Sequence, residues 1–122
     1  MNKLEVCCGS YEDAMNAYHG GAKRIELNSA LALGGLTPTI ASLELIKNNT
    51  DLEVICMVRP RGAGFVYNDL QSEQMIIEAE ELLEHGADGI AFGFLDPDGK
   101  INSARTSEMV SIIHSYGKTA VF

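Results

Sequence analysis

The sequence predicts an α/β protein of the TIM (β/α)8-barrel family, with the chain covering about four and a half βα units. Three observations carry this prediction. Apolar period and turn chemistry alternate in the order β-α-β-α-β-α-β-α-β, the pattern of parallel strands joined by right-handed crossovers. The strands alternate polar with apolar residues instead of running continuously apolar. Finally, GAKRIELN (Gly21–Asn28) aligns without a gap on GADGIAFG (Gly86–Gly93), two units further along, as repeated βα modules would.

Each element has its own local cause. Lys3–Cys8 is strand-like, and SYED (Ser10–Asp13) is a capping-box type start for a helix that ends near His19 at Gly20 and Gly21. KRIEL (Lys23–Leu27) makes the second strand. After NSALALGGL, Thr37 is expected to cap and Pro38 to take the first position of a helix reaching Asn49. LEVICMVR (Leu52–Arg59) is a third strand, closed by Pro60, which removes a ladder donor. Asn68 or Asp69 caps the third helix, whose stripe is Met75, Ile76, Ala79, Leu82 and Leu83, and Gly86 ends it. GIAFGFL (Gly89–Leu95), the turn DPDGK (Asp96–Lys100), a helix striped by Met109, Ile112, Ile113 and Tyr116, and KTAVF (Lys118–Phe122) complete the order.

Parity separates a barrel from an open, doubly wound sheet. Leu4, Val6 and Cys8, Ile25 and Leu27, Val54, Cys56 and Val58, and Ile90, Phe92 and Phe94 form one consistent apolar face for outer helices. Glu5, Cys7, Glu26, Asn28, Met57 and Arg59 fall on the other, which in a barrel lines the interior below the C-terminal mouth. A complete barrel takes about 250 residues, whereas this chain has 122. Three readings follow: a truncated half, two copies completing each other, or an open half-sheet whose edges invite association.

Composition bounds the rest. With 46% hydrophobic and 21% charged residues, one domain over residues 1–122 is expected. No membrane span or signal peptide is legible. The 17 acidic against 9 basic residues, a net charge of −8, oppose general attraction to nucleic acid or anionic lipid. Three cysteines, an odd count with Cys7 beside Cys8, fit neither a disulfide framework nor zinc ligation, so reduced thiols and a cytoplasmic location are expected. No dinucleotide fingerprint, P-loop or nucleophile elbow appears, and no nucleotide cofactor is indicated.

The chemistry-bearing stretch is MVRPRGAGFVYND (Met57–Asp69). Arg59 is expected near the mouth with Glu5 and Glu26 as carboxylate partners; this is either a structural ion-pair layer or part of a substrate site. Glu5 and Glu26 are then the acid–base candidates, and Asn28 shares the inner face. Arg61, without an obligatory partner, is the better candidate for ligand contact, beneath a rim formed by Phe65 and Tyr67. The Gly34-Gly35 loop offers backbone N–H groups to an anion. For metal, Cys7 with Met57 nearby suits soft Cu(I); Cys8 and Cys56 face the helices as core. His19, His85 and His114 fall in last helical turns and read as structural.

The segments LEVCCGSYEDAMNAYHGGAKRIELNSALALGGLTPT, MVRPRGAGFVYND and EHGADGIAFGFLDPDGKI together resemble the N-terminal half of the CutC copper homeostasis family over Leu4–Phe122. The resemblance implies a cytosolic (β/α)8 barrel, oligomeric, associated with copper handling and proposed to bind Cu(I). Cys7 stands at a position where members carry cysteine, while Asn28 stands where some have a second one. No reaction follows from the resemblance. The competing expectation is a barrel enzyme acting on a small phosphorylated or carboxylated metabolite, held by Arg59 and Arg61; a third is a nonfunctional half that associates through its edges.

Overall fold

The computed structural model describes residues 3–122. The elements are β1 (Glu5–Cys8), α1 (Tyr11–His19), β2 (Arg24–Leu27), a 3-10 turn (Leu31–Leu33), α2 (Ile40–Asn49), β3 (Glu53–Met57), α3 (Asp69–Glu84), β4 (Gly89–Ala91), α4 (Ser103–Ser115) and β5 (Thr119–Val121). The five strands form one parallel sheet in the order β1-β2-β3-β4-β5. Spatial order thus equals sequence order, without the reversal that defines a doubly wound sheet. This is the winding of a partial TIM barrel, as the strand parity predicts.

All four crossovers lie on one side, so the core forms between the outward strand face and the helices. Cys8, Ile25, Leu27, Val54, Cys56, Val58, Ile90, Phe92 and Phe94 enter it from the strands and meet Ala14, Leu43, Ile46, Met75, Ala79, Leu82, Met109 and Ile113 from the helices. Burying each of the larger side chains contributes roughly 1.5–3 kcal/mol. The sheet is open in this chain: β1 and β5 are its edges.

Helix starts follow the expected side-chain logic with one shift. Ser10 accepts from the Asp13 N–H at 3.0 Å, and Asp13 accepts in return from the Gly9 N–H at 2.9 Å. Asn68 and Gln71 form a reciprocal capping box at α3. For α2 the cap is Thr39, which accepts from the Ser42 N–H at 3.1 Å, two residues after the expected Thr37. The reason is tertiary. Thr37 is drawn onto the end of β3, where its hydroxyl oxygen accepts from the Arg59 N–H at 3.0 Å and its own N–H donates to the Arg59 carbonyl at 3.1 Å.

Candidate functional site

Strand register stacks the inward side chains into rows. Glu5, Arg24 and Glu53 form the first row at the N-terminal end of the strands. Cys7, Glu26, Ile55, Gly89 and Thr119 form the next. Met57, Ala91 and Val121 lie one row higher, and Arg59 follows beyond the regular end of β3.

This ladder corrects the expected ion pairs. Arg24 Nε donates to Glu5 Oε2 at 2.6 Å, and Arg24 Nη1 lies 3.8 Å from Glu53 Oε1. Glu5 is therefore committed at the bottom of the sheet, where barrel residues serve stability, while Arg59 stands six residues above that row, about 20 Å along the strand. Glu26 is four residues below Arg59 in register, about 13 Å, and its Oε1 accepts from Asn28 Nδ2 at 3.1 Å. Neither carboxylate reaches the Arg59 guanidinium. A second structural tie at the same lower end joins Lys47 Nζ to Asp88 Oδ2 at 2.7 Å, and that oxygen also accepts from the Val54 N–H.

Cys7 is exposed, whereas Cys8 and Cys56 are buried, and all three are free. Asn28, 2% exposed, donates through Nδ2 to Cys7 Sγ at 3.5 Å. Partial desolvation, then the charges of Glu26, Glu5 and Asp13, push the Cys7 thiol above its ordinary value. Met57 does not share a ligand position with it. It lies two strands across and one inward row higher, so the backbones are separated by roughly 10 Å sideways alone. Among the described residues, no group of three or more His, Cys, Asp or Glu side chains could hold a metal ion. Cys7 is thus a lone thiol donor on this face and, among the described residues, not part of a closed metal cage.

At the mouth the two arginines exchange their expected roles. The loop after Pro60 turns back through Ala63 and Gly64, both at positive φ (64° and 80°), and wraps its carbonyls around Arg61. Arg61 Nη1 donates to the carbonyls of Gly62 at 3.0 Å and Ala63 at 2.9 Å, and Nη2 donates to that of Val66 at 2.6 Å. Its Cζ also lies 4.8 Å from the Tyr67 ring centroid. Arg61 is thus the staple that shapes the loop, and its donors are used internally.

Arg59 is the arginine left over. It is 9% exposed, its Nε has no hydrogen-bond partner, and its Nη1 makes only a long 3.5 Å contact to the Leu33 carbonyl. Phe65 stacks on the guanidinium at 4.7 Å. The Tyr67 hydroxyl, in an 8% exposed residue, is also without a partner. Burial pushes this phenol up, opposed in smaller part by hydrogen bonding from Arg59 and by the charges of Arg59 and Arg61.

Gly34 and Gly35 seal the other side of this region, with φ of 93° and 92°. A Cβ on Gly34 would stand 2.6 Å from Arg59 Nη1, and one on Gly35 2.5 Å from Asn28 Oδ1. Both the backbone conformation and the close approach require glycine here. Their N–H groups are not presented to an anion, however: Gly34 donates to the Leu31 carbonyl at 2.9 Å and Gly35 to that of Ala30 at 3.3 Å. Sequence reasoning missed Thr37 as the anchor of the Arg59 backbone and the Tyr67 hydroxyl as a buried polar group; the short spacing of Arg59, Arg61 and Tyr67 was its one available signal.

Fold and inner face define part of a βα barrel, five parallel strands whose inward residues run in rows from Glu5 at the lower end to Arg59 beyond β3. The CutC family model matches residues 2–121, and the chain belongs to the CutC family. A CutC family protein of Treponema denticola is 49% identical over 116 residues, covering 95% of this chain and 47% of that protein. The human protein named copper homeostasis protein cutC homolog is 41% identical over 109 residues, covering 89% and 40%. The CutC crystal structure from Streptococcus agalactiae superposes with a TM-score of 0.88 at 27% identity, over 100% of this chain and 59% of that one. The chain spans less than half the length of these two curated relatives.

Proposed function

We propose that the chain is part of a cytoplasmic copper homeostasis protein in which Cys7 is the contact for Cu(I). The observation that carries this reading is the placement of Cys7: an exposed thiol on the inward face, among the charges of Glu26, Glu5 and Asp13. Negative charge that holds a proton on sulfur also favours a cation that replaces the proton, and thiolate sulfur selects a soft one. The names of relatives such as the Drosophila melanogaster copper homeostasis protein cutC homolog, 50% identical over 101 residues, point the same way.

One thiol leaves Cu(I) under-coordinated, so a second soft donor comes from outside this inner face. Free cysteines support a reducing compartment.

The test is an anaerobic Cu(I) titration against a competing chelator, run on the protein and on Cys7→Ala and Met57→Leu, with circular dichroism on all three. The reading expects binding to be lost in Cys7→Ala and kept in Met57→Leu. Equal binding by a folded Cys7→Ala protein would overturn it.

A further inference from the structure

A buried guanidinium without a carboxylate is a demanding thing for a fold to keep. Desolvation removes the hydration of the charge, and each unmatched donor adds to that cost. Arg59 has this status: among the described residues no Asp or Glu lies within salt-bridge distance of it, and its Nε is buried and unpartnered. The Phe65 face offsets part of the cost through cation–π attraction but accepts no hydrogen bond. The backbone is not free to carry the side chain elsewhere, because Thr37 holds both the N–H and the carbonyl of Arg59. Gly34, with no side chain, admits the guanidinium at a distance that a Cβ would block.

The second orphan belongs to the same region. Tyr67 Oη is buried and lies beside the Arg59 guanidinium, whose N–H groups and charge both act on the phenol, while its own O–H has no acceptor. The guanidinium and the phenol, each with an unused donor, thus lie together beyond the end of β3. An acceptor group of negative charge would satisfy both, whereas an apolar group would satisfy neither and a cation would be repelled by the guanidinium. Phe65, which screens the guanidinium, is itself 41% exposed, so Arg59 lies one side chain beneath the surface.

We propose that Arg59 Nε and Tyr67 Oη form a binding site for the oxyanion group of a small carboxylate or phosphate ester at the barrel mouth. Arg61 shapes the loop that carries Tyr67 and does not touch the anion. The site is separate from the copper reading. Cys7 lies in a lower row on another strand, and its replacement leaves the anion site intact.

The test is a titration of 15N-labelled protein with sodium phosphate and, separately, sodium acetate, against sodium chloride at matched ionic strength, following the Arg59 Nε–Hε resonance. The expected result is a saturable downfield shift with at least one oxyanion and none with chloride; the responding salt identifies the phosphate or carboxylate class. In Arg59→Met the anion-dependent rise in melting temperature disappears. In Tyr67→Phe, which removes only the hydroxyl, affinity falls by about threefold to tenfold, the loss of one hydrogen bond. No response to either anion beyond that to chloride overturns the proposal. So does undiminished affinity in Tyr67→Phe, or an Arg59 resonance that follows protein concentration and not anion, which would mark a contact between copies.

Discussion

Arg24 Nε lies 2.6 Å from Glu5 Oε2, so Glu5, one of the two carboxylates that strand parity assigns to Arg59, is held in a separate pair at the lower end of the sheet. The two residues face each other because β1 and β2 are parallel neighbours with Glu5 opposite Arg24. The pair closes the lower end of the inner face and separates a structural layer from the mouth. Replacing Glu5 by Gln leaves a partly buried guanidinium with only the 3.8 Å contact to Glu53. The expected loss is about 1–2 kcal/mol, between exposed and buried ion pairs, measured by urea unfolding.

Thr37 is expected to matter more than a loop threonine ordinarily does. Its hydroxyl accepts from the Arg59 N–H and can donate to Glu78 Oε2 at 3.0 Å. Thr37→Val keeps the shape and removes both bonds, costing about 1–3 kcal/mol because a buried N–H loses its acceptor. Thr37→Ser restores most of it. Denaturant midpoints of the two variants compare these outcomes directly.

Gly35→Ala forces a methyl to 2.5 Å from Asn28 Oδ1 at a backbone φ of 92°. Positive φ alone costs an alanine roughly 1–2 kcal/mol, and displacement of Asn28 adds to that. The amide then leaves Cys7, so the variant is expected to melt lower and to alter the rate at which Cys7 is alkylated. Loss of stability with an unchanged alkylation rate would separate Asn28 from the thiol.

Thiol chemistry gives a pH prediction. Cys7 has a raised pKa, so it is mostly protonated near neutrality, and its alkylation rate climbs about tenfold per pH unit until above 9.0. Cys8 and Cys56, pushed up to about 11 and about 12, are buried and stay unmodified in the folded protein. For a thiol whose folded pKa is raised, stability is complete below the unfolded value and falls as pH rises toward the folded one. Cys56 thus contributes an alkaline loss between about pH 9 and 12, on the order of 1.4 kcal/mol per pH unit. Mass spectrometry after iodoacetamide treatment at several pH values checks the selectivity.

The architecture was legible because its causes are local. Ser10 and Asn68 cap where expected, and the alternation of Ile25 and Leu27 with Glu26 places helices on one face only, although β3 already ends at Met57, ahead of Pro60. The site was legible as a set of residues but not as a set of partnerships. Register decides that Glu5 meets Arg24, and one sequence does not contain the register of neighbouring strands. Likewise, the difference between Arg59 and Arg61 depends on how Ala63 and Gly64 turn the chain, which places carbonyls around one guanidinium and none around the other's Nε. Thr37 had the chemistry of a helix cap, and a tertiary contact to β3 used it first.

The most direct test of the copper assignment is X-ray absorption at the copper edge, on protein loaded anaerobically with Cu(I) in buffer free of added thiol. The account predicts a first shell containing sulfur in the native sequence and only nitrogen or oxygen in Cys7→Ser. A sulfur shell that persists in Cys7→Ser, or one absent from the native protein, would contradict the placement of copper at Cys7.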